Sequence, residues 1–306
     1  MSIRIGVGIA GFPFDSLDGF LSWVDSCEAS DIDSVWFSER LVSREPMLEP
    51  LAACAVVAGR TRRLKVGFNA IVLPFRDPLV LAKECATIDV LSGGRLLPVF
   101  GVGDERAPEF SATGRSPVGR GARADEMLDI MTALWRGESV TYEGAHFQYR
   151  DARIAPLPLQ QPLPVWIGGS SDAAIRRTAR IGTGWLAGLQ SPESVAETVA
   201  RIRRAVAETG RPFEEDHFGA GFAFRFGKWD EPIVRQAAER IRLAAPELRP
   251  ERYLAVGDAE TIIGRVREYI AAGCSKFVLR PIAMGTQDML EQTERLAREV
   301  IPAIHG

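Results

Sequence analysis

Short runs rich in β-branched and aromatic residues alternate with amphipathic stretches along almost the whole chain. This alternation is typical of α/β proteins, in which βα units surround a parallel sheet. The predicted strands span residues 3–10, 34–37, 64–71, 96–100, 165–167, 185–187, 218–226 and 276–279. The predicted helices span residues 17–30, 47–59, 78–91, 120–135, 172–181, 192–208, 259–272 and 287–304. Eight such repeats in 306 residues fit a closed (β/α)8 TIM barrel, and an open doubly wound sheet is the alternative.

Two segments interrupt the regular repeat. Residues 138–163 alternate as a surface hairpin would and then become rich in proline, which a central strand does not accept. Residues 228–252 read as a helical insertion that is longer than an ordinary loop of a barrel. We expect a single domain over residues 1–306, with both insertions on the carboxyl face of the barrel, where they wall the substrate pocket.

Charge and composition narrow the class of partner. The net charge is −3 and the basic residues are scattered, so neither nucleic acid nor a membrane surface is the expected partner, and a small molecule is. The first residues enter a strand pattern directly, and no run approaches 18 apolar residues, which predicts neither secretion nor a membrane span. Four cysteines without CxxC spacing predict reduced thiols in a cytoplasmic protein, and three distant histidines predict no metal site.

The turn after the fifth predicted strand carries a pattern suited to an anion. In IGGSSDAAIRR, the strand reaches Gly168 and Gly169, Ser170 and Ser171 follow, and a helix begins at once. Glycines let backbone N–H groups approach a phosphate, and a helix N-terminus adds unpaired N–H groups and a favourable dipole. The same letters also describe a tight turn in which Ser171 is an ordinary N-cap, and both readings stay open.

Two acids follow predicted strands and point toward the same barrel mouth. Glu39 lies in VWFSER and Asp104 in GVGDER, where burial can move a carboxyl pKa into the range of a proton donor. Arg40 and Arg106 beside them allow solvated ion pairs as the alternative. The GVGIAG stretch at residues 6–11 matches a dinucleotide fingerprint, but Phe-Pro-Phe follows it where that fingerprint needs a helix.

Three longer segments, taken together and in order, resemble the bacterial luciferase-like flavin oxidoreductases. They are PLVLAKECATIDVLSGGRLLPVFGVG, LPVWIGGSSDAAIRRTARIGTGW and VGDAETIIGRVREYIAAGCSKFVL. The resemblance covers almost the whole chain. It implies a TIM barrel that binds reduced FMN or the deazaflavin coenzyme F420 at its carboxyl face, usually as a homodimer.

The resemblance also implies which residues hold the cofactor. The implied contacts are Gly8, Ala70, Ile71, Gly101, Val102, Gly103, Gly168, Gly169, Ser170 and Ser191. Ala70-Ile71 matches the place where relatives often carry a non-prolyl cis peptide, and Asp104 stands in the loop that lines the ring edge. Arg280 is a further candidate anion partner, or else a surface arginine. Glu39-Arg40 replaces the Asp-His of many deazaflavin relatives, and Thr183 replaces an aspartate in the GTGW stretch.

We therefore predict an F420-dependent oxidoreductase that moves hydride to or from a small organic substrate, with Glu39 and Asp104 as the catalytic acids. The nearest alternative is an FMNH2-dependent monooxygenase that uses O2 and a separate flavin reductase. Two further alternatives are a flavin-free, phosphate-binding barrel isomerase or lyase, which needs a Lys or His base at a strand end, and a noncatalytic flavin-binding protein.

Overall fold

A computed structural model describes residues 2–305, and the predicted α/β barrel is confirmed. In chain order the strands are β1 Arg4–Ile9, β2 Ser34–Phe37, β3 Lys65–Val72, β4 Leu96–Gly101, β5 Val140–Glu143, β6 Gln148–Ala152, β7 Trp166–Gly168, β8 Gly184–Leu186, β9 Phe218–Phe226, β10 Leu254–Gly257 and β11 Lys276–Pro281. The helices are α1 Leu17–Ala29, α2 Pro50–Arg60, α3 Pro78–Ser92, α4 Pro108–Ala112, α5 Arg120–Trp135, α6 Asp172–Ile181, α7 Pro192–Thr209, α8 Pro232–Ala244, α9 Pro250–Tyr253, α10 Ala259–Ala271, α11 Gly285–Arg295 and α12 Ile301–His305. A 3-10 turn, Leu73–Phe75, follows β3, and a π-helical stretch, Leu296–Val300, joins α11 to α12.

Eight parallel strands close the barrel in the order β1, β2, β3, β4, β7, β8, β9 and β11, with β11 hydrogen-bonded back to β1. The pairing register places Arg4 opposite Lys276 and Val7 opposite Leu279. Because every strand runs in the same direction, the carboxyl ends of all eight strands meet at one mouth of the barrel. That mouth is where a parallel barrel builds its binding site from loops and strand ends.

Two layers of apolar side chains hold the strands. Inside the barrel, Trp36, Val99, Trp166, Leu186 and Val278 form a compact cluster. Outside it, the other face of each strand packs against the surrounding helices in a much larger core. Alternation along each strand therefore assigns every residue either to the lumen or to the helix layer.

The sequence predicted the helix boundaries well where capping residues are present. Ser191 begins α7 by accepting a hydrogen bond from the Ser194 N–H at 3.4 Å, as expected of an N-cap. Gly210 ends the same helix in the left-handed region. The helix predicted from residue 47 begins at Pro50 instead, where Glu49 caps it.

The two interrupting segments have the local structures that their sequences suggested, with one correction. Strands β5 and β6 form a separate antiparallel pair. Helix α8 lies within residues 228–252 and α9 extends one residue beyond them, but the stretch that follows is strand β10, which the sequence analysis missed. Strand β10 pairs with the far end of β9, where Leu254 lies opposite Ala223, because β9 extends beyond the part that β8 covers.

None of the helices found within residues 2–305 is long and apolar enough to cross a membrane. All four cysteines are buried free thiols.

Candidate active site

Three neighbouring strands each place a small residue toward the lumen at the carboxyl mouth. They contribute Ala70 from β3, Gly101 from β4 and Gly168 from β7. A Cβ added at Gly101 would lie 3.6 Å from the Ala70 Cβ, and one added at Gly168 would lie 3.9 Å from it. We call Ala70, Gly101 and Gly168 the small-residue cradle. A flat ligand can reach the backbone here because no large side chain stands in front of it.

The backbone of β3 changes register beside this cradle. The Asn69–Ala70 peptide bond is cis, and the pairing with β4 shifts between Asn69 and Ile71. The non-prolyl cis bond thus lies one residue earlier than the Ala70-Ile71 pair that the sequence suggested. Ala70 packs on the inner cluster, whereas Ile71 is fully buried in the outer core. The side chain of Ile71 therefore points away from the lumen.

In the glycine-rich turn after β7, the two adjacent serines differ in their hydrogen bonding. Gly169 has a φ of +100°, and its carbonyl accepts a hydrogen bond from the Trp185 Nε1 at 2.7 Å. Ser171 is the N-cap of α6 and accepts from the Ala174 N–H at 3.2 Å. Ser170 is only partly buried, and residues 2–305 offer its hydroxyl no hydrogen-bond partner. The cap reading holds for Ser171, and Ser170 remains available to a ligand.

The loop after β4 is open and carries an exposed ion pair. Gly103 has a φ of +71°, which favours glycine at this bend. Asp104 accepts hydrogen bonds from the Arg106 Nε at 3.0 Å and the Arg106 N–H at 2.8 Å, and its side chain is 54 % exposed. These bonds from Arg106 hold the pKa of Asp104 well below its usual range. Asp104 is therefore ionised at neutral pH. Val102, between Gly101 and Gly103, is partly buried against the core.

Glu39 is enclosed rather than exposed. Its carboxylate accepts from the Val72 N–H at 2.7 Å and from Arg76, and its side chain is 1 % exposed. Arg76 also donates to Glu49 at 2.9 Å. Burial raises the pKa of Glu39 above its ordinary value, against the opposing effect of Arg76 and the Val72 N–H. The contacts tie the end of β2 to the end of β3, next to the cradle.

The structure gives Glu39 and Asp104 separate partners and does not join them in one hydrogen-bond network. Arg40, next to Glu39, pairs instead with the buried Glu109 at 3.6 Å. The sequence could not show this, because the decisive partner of Glu39 lies 37 residues away.

Gly8 and Ser191 have structural explanations in the fold. A Cβ at Gly8 would lie 2.9 Å from the Val278 Cγ1 and 3.5 Å from the Arg280 Cγ, so the missing side chain makes room for those two residues. The Ser191 oxygen already caps α7. Sequence reasoning missed Tyr253, which is buried and accepts a hydrogen bond from the Arg280 guanidinium. Its signal was hidden because Tyr253 ends α9, just after the predicted insertion and far from the carboxyl end of any predicted strand.

A cavity of about 480 Å³ lies at the opposite, amino end of the barrel. Its lining includes Lys65 and Lys276 at the starts of their strands, and both donate to Asp33 just before β2. Burial lowers the pKa of Lys276 to about 8. Although burial opposes it, the attraction of Lys276 and Lys65 lowers the pKa of Asp33 to about 2. Lys65 and Lys276 therefore share one carboxylate, and this cavity is separate from the cradle.

Residues 2–305 contain no group of three or more His, Cys, Asp or Glu side chains that could hold a metal ion.

Comparison with known proteins adds a family and a set of relatives. The model of the luciferase-like monooxygenase family matches residues 3–247. An uncharacterized protein of Mycobacterium tuberculosis is 33% identical over 173 residues, which cover 56% of this chain and 59% of that protein, so the match spans less than two thirds of that relative. The F420-dependent glucose-6-phosphate dehydrogenase of Amycolatopsis mediterranei is 25% identical over 99% of both chains.

Solved structures share the fold over the full chain. The monooxygenase RslO1 from Streptomyces bottropensis superposes with a TM-score of 0.85 at 20% identity, covering 99% of this chain and 100% of the other. An F420-dependent secondary alcohol dehydrogenase in complex with an F420-acetone adduct superposes with a TM-score of 0.84 at 18% identity, covering 100% of both chains.

Proposed function

This chain belongs to the luciferase-like monooxygenase family, and on that premise we propose that it is an oxidoreductase that binds coenzyme F420 at the carboxyl mouth of its barrel and exchanges hydride with a small organic substrate. Full-length similarity to F420-dependent glucose-6-phosphate dehydrogenases of Amycolatopsis mediterranei and Microbacterium testaceum, at 25% and 26% identity, supports the choice of F420.

The small-residue cradle is the observation that carries this proposal. A tricyclic ring needs a flat surface without projecting side chains, and Ala70, Gly101 and Gly168 provide one across three adjacent strands. The inner cluster closes the barrel directly below, with Val99 fully buried and Trp166 6% exposed. A ring held at this depth would be shielded from bulk water on one face.

Next to the cradle, the turn after β7 is suited to the phosphate of the cofactor. The Ser170 hydroxyl is free, and the first turn of α6 presents backbone N–H groups at its N-terminus. The positive φ of Gly169 shapes the turn. When bound, the cofactor supplies the two-electron chemistry, so the protein has to orient it and exclude water rather than provide a nucleophile.

We propose different roles for the two acids. Asp104 would act through its negative charge at the ring edge, because its carboxylate stays ionised at neutral pH. Glu39 would act as a positioning residue, because its enclosed carboxylate holds the Val72 N–H and Arg76 at the end of β3. This assignment keeps a polarising role for Asp104 and gives neither residue the proton-donating role that the sequence had suggested for both.

An FMN-dependent monooxygenase is the second candidate. The description of the family and the likeness to monooxygenase RslO1 favour it, and the same cradle would accept the FMN ring. That chemistry would use O2 and a separate reductase to supply FMNH2. A flavin-free isomerase is less well supported, because Lys65, Lys276 and His217 all lie at the amino end of the barrel, away from the cradle.

We also propose that the protein is a cytoplasmic homodimer. Apolar side chains that would favour association are exposed on α2 and α3, where Val56 is 50 %, Val80 55 % and Leu91 60 % exposed. The two helices pack side by side. Size-exclusion chromatography with light scattering tests this, and a monomer at micromolar concentration would contradict it.

The cofactor proposal is tested by titrating the protein with F420 and with FMN, each oxidised and reduced, followed by absorbance and fluorescence. Selective binding of F420 supports the proposal, selective binding of reduced FMN supports the monooxygenase, and binding of neither contradicts both.

Alanine substitutions of the two adjacent serines test whether this turn binds the cofactor phosphate. We expect Ser170→Ala to weaken cofactor binding without changing the melting temperature. Ser171→Ala should cost about 1 kcal/mol of stability through loss of the N-cap. Unchanged affinity in Ser170→Ala would exclude this turn as the phosphate site.

A further inference from the structure

Arg280 is a partly buried arginine without an acidic partner. It lies on β11 two residues after Val278, a member of the inner cluster, so its side chain points into the barrel. Its guanidinium donates to the Tyr253 hydroxyl and lies 5.8 Å from the centre of the Tyr253 ring. Within residues 2–305, no carboxylate lies within 4.0 Å of it, and no second hydrogen-bond acceptor contacts it.

Other partly buried arginines are either paired with acids or, like Arg95 and Arg211, donate to several backbone carbonyls. Arg225 on β9 pairs with Glu231 at 2.6 Å and Asp288 at 2.9 Å. Arg177 on α6 pairs with Asp125 at 2.7 Å. Since a guanidinium carries five N–H donors and remains charged, burial without an acid costs free energy that those pairs recover in part. Burial indeed lowers the pKa of Arg280 to about 10, and no acid opposes that effect.

Small residues flank Arg280 on both neighbouring strands. Ala223 lies opposite it on β9, and Gly8 on β1 makes room for its side chain. Arg280 is only partly buried, and it lies one residue before the end of β11, at the carboxyl mouth. Its unused donors are therefore available to a ligand that enters the mouth.

Arg280 also stands across the mouth from the cradle. In the closed order of eight strands, β11 and β4 are four strands apart in either direction. Gly101, at the end of β4, belongs to the cradle. A molecule between the two walls would therefore touch the ring surface on one side and the Arg280 guanidinium on the other.

We propose that Arg280, held by Tyr253, binds the anionic group of the substrate, and that the substrate class is therefore small organic molecules that bear a carboxylate or a phosphate. This inference rests on the proposed function, because it places the substrate beside the cofactor cradle. A planar guanidinium binds such oxyanions through two parallel N–H···O bonds, which fixes orientation as well as position. The hydrogen bond to the Tyr253 hydroxyl holds the guanidinium in place.

The test uses acetate, benzoate and inorganic phosphate as probes at constant ionic strength. Melting temperature is measured against probe concentration for the unaltered protein, Arg280→Gln, Arg280→Met and Tyr253→Phe, with the exposed Arg298→Gln as a charge-matched control. At least one probe should raise the melting temperature of the unaltered protein and of Arg298→Gln, because a ligand that binds the folded state stabilises it.

We expect the apparent affinity for that probe to fall about 10- to 100-fold in both Arg280 variants, because they lose the charge-assisted hydrogen bonds to the anion. The affinity should fall by a smaller factor in Tyr253→Phe. Without a probe, Arg280→Met should melt at the same temperature as the unaltered protein or higher, because it removes an uncompensated charge. F420 affinity, measured on the same samples, should be unchanged in the Arg280 variants.

The failures of the two proposals are distinguishable. Anion stabilisation that is undiminished for every probe in both Arg280 variants, or is absent from the unaltered protein, overturns this inference. Loss of F420 affinity in Arg280→Gln also overturns it, because Arg280 would then hold the cofactor. If the unaltered protein binds neither F420 nor FMN, the proposed function fails, whatever the anion titration shows.

Discussion

Alanine at Gly168 would add a single methyl group to the wall of the cradle, at a place where the fold can accept it. The nearest atoms to the new Cβ would be the Phe100 carbonyl oxygen at 3.7 Å, the Val99 Cγ1 at 3.8 Å and the Ala70 Cβ at 3.9 Å. These are ordinary van der Waals distances, and the φ of Gly168 lies outside the left-handed region. Gly101→Ala is similar, with the Ala70 Cβ at 3.6 Å.

Both substitutions should therefore leave the protein folded. Alanine in place of glycine at a compatible backbone position gains about 0.4–1 kcal/mol by restricting the unfolded chain. For a chain of this size that corresponds to a rise of about 0.6–1.6 °C in melting temperature. A cofactor ring that rests on the Gly168 Cα would meet the new Cβ, which projects about 1.5 Å from that Cα. The ring would have to shift away and would lose contacts on that face. We expect at least a tenfold loss of F420 affinity, about 1.4 kcal/mol.

Fluorescence titration with F420, together with thermal unfolding, measures both effects. Gly59→Ala is the matched control, because Gly59 lies on α2 and an added Cβ would meet nothing within 4 Å. The control should gain stability and keep its F420 affinity. If Gly168→Ala and Gly101→Ala fold normally and bind F420 as tightly as Gly59→Ala does, the ring does not rest on the cradle, and the reasoning is refuted.

Three further predictions concern the charged groups. Glu39→Gln should lower the free energy of unfolding in urea by about 3 kcal/mol, because it leaves the buried Arg76 charge without its main partner; an unchanged urea midpoint would show that Glu39 does not hold this region together. The pKa of Asp33 is lowered from 3.8 to about 2, so its stabilising contribution of about 2 kcal/mol is present above pH 3.8 and is lost as the pH falls toward 2. The free energy of unfolding, measured across this range, should therefore depend less steeply on pH in Asp33→Asn than in the unaltered protein. Equal slopes would contradict this. Asp104→Asn should change the melting temperature by less than about 2 °C, because exposed ion pairs contribute about 0–1 kcal/mol. Turnover should fall if the Asp104 charge acts on the ring edge. A large loss of stability would show that the loop depends on the Asp104–Arg106 pair.

The two acids illustrate how far a sequence reading reaches. Glu39 and Asp104 occupy equivalent places after strands, and each is adjacent to an arginine in the sequence or nearly so. Asp104 does pair with its close neighbour Arg106, whereas Glu39 is neutralised by the distant Arg76. The environment that sets each pKa is thus local in one case and assembled by the fold in the other.

The order of strands and helices, the caps of α6 and α7 and the glycine turn after β7 were determined by the sequence itself, because each depends on the period of apolar residues or on side chains within a few positions. The tertiary structure alone decided the pairing of β10 with the end of β9, the cradle shared by three strands, and the contact of Arg280 with Tyr253. These features join residues that are far apart in the chain, and their geometry depends on the register of the closed barrel. A sequence pattern specifies which face of a strand is apolar, but only the packed barrel specifies what stands across the lumen from it.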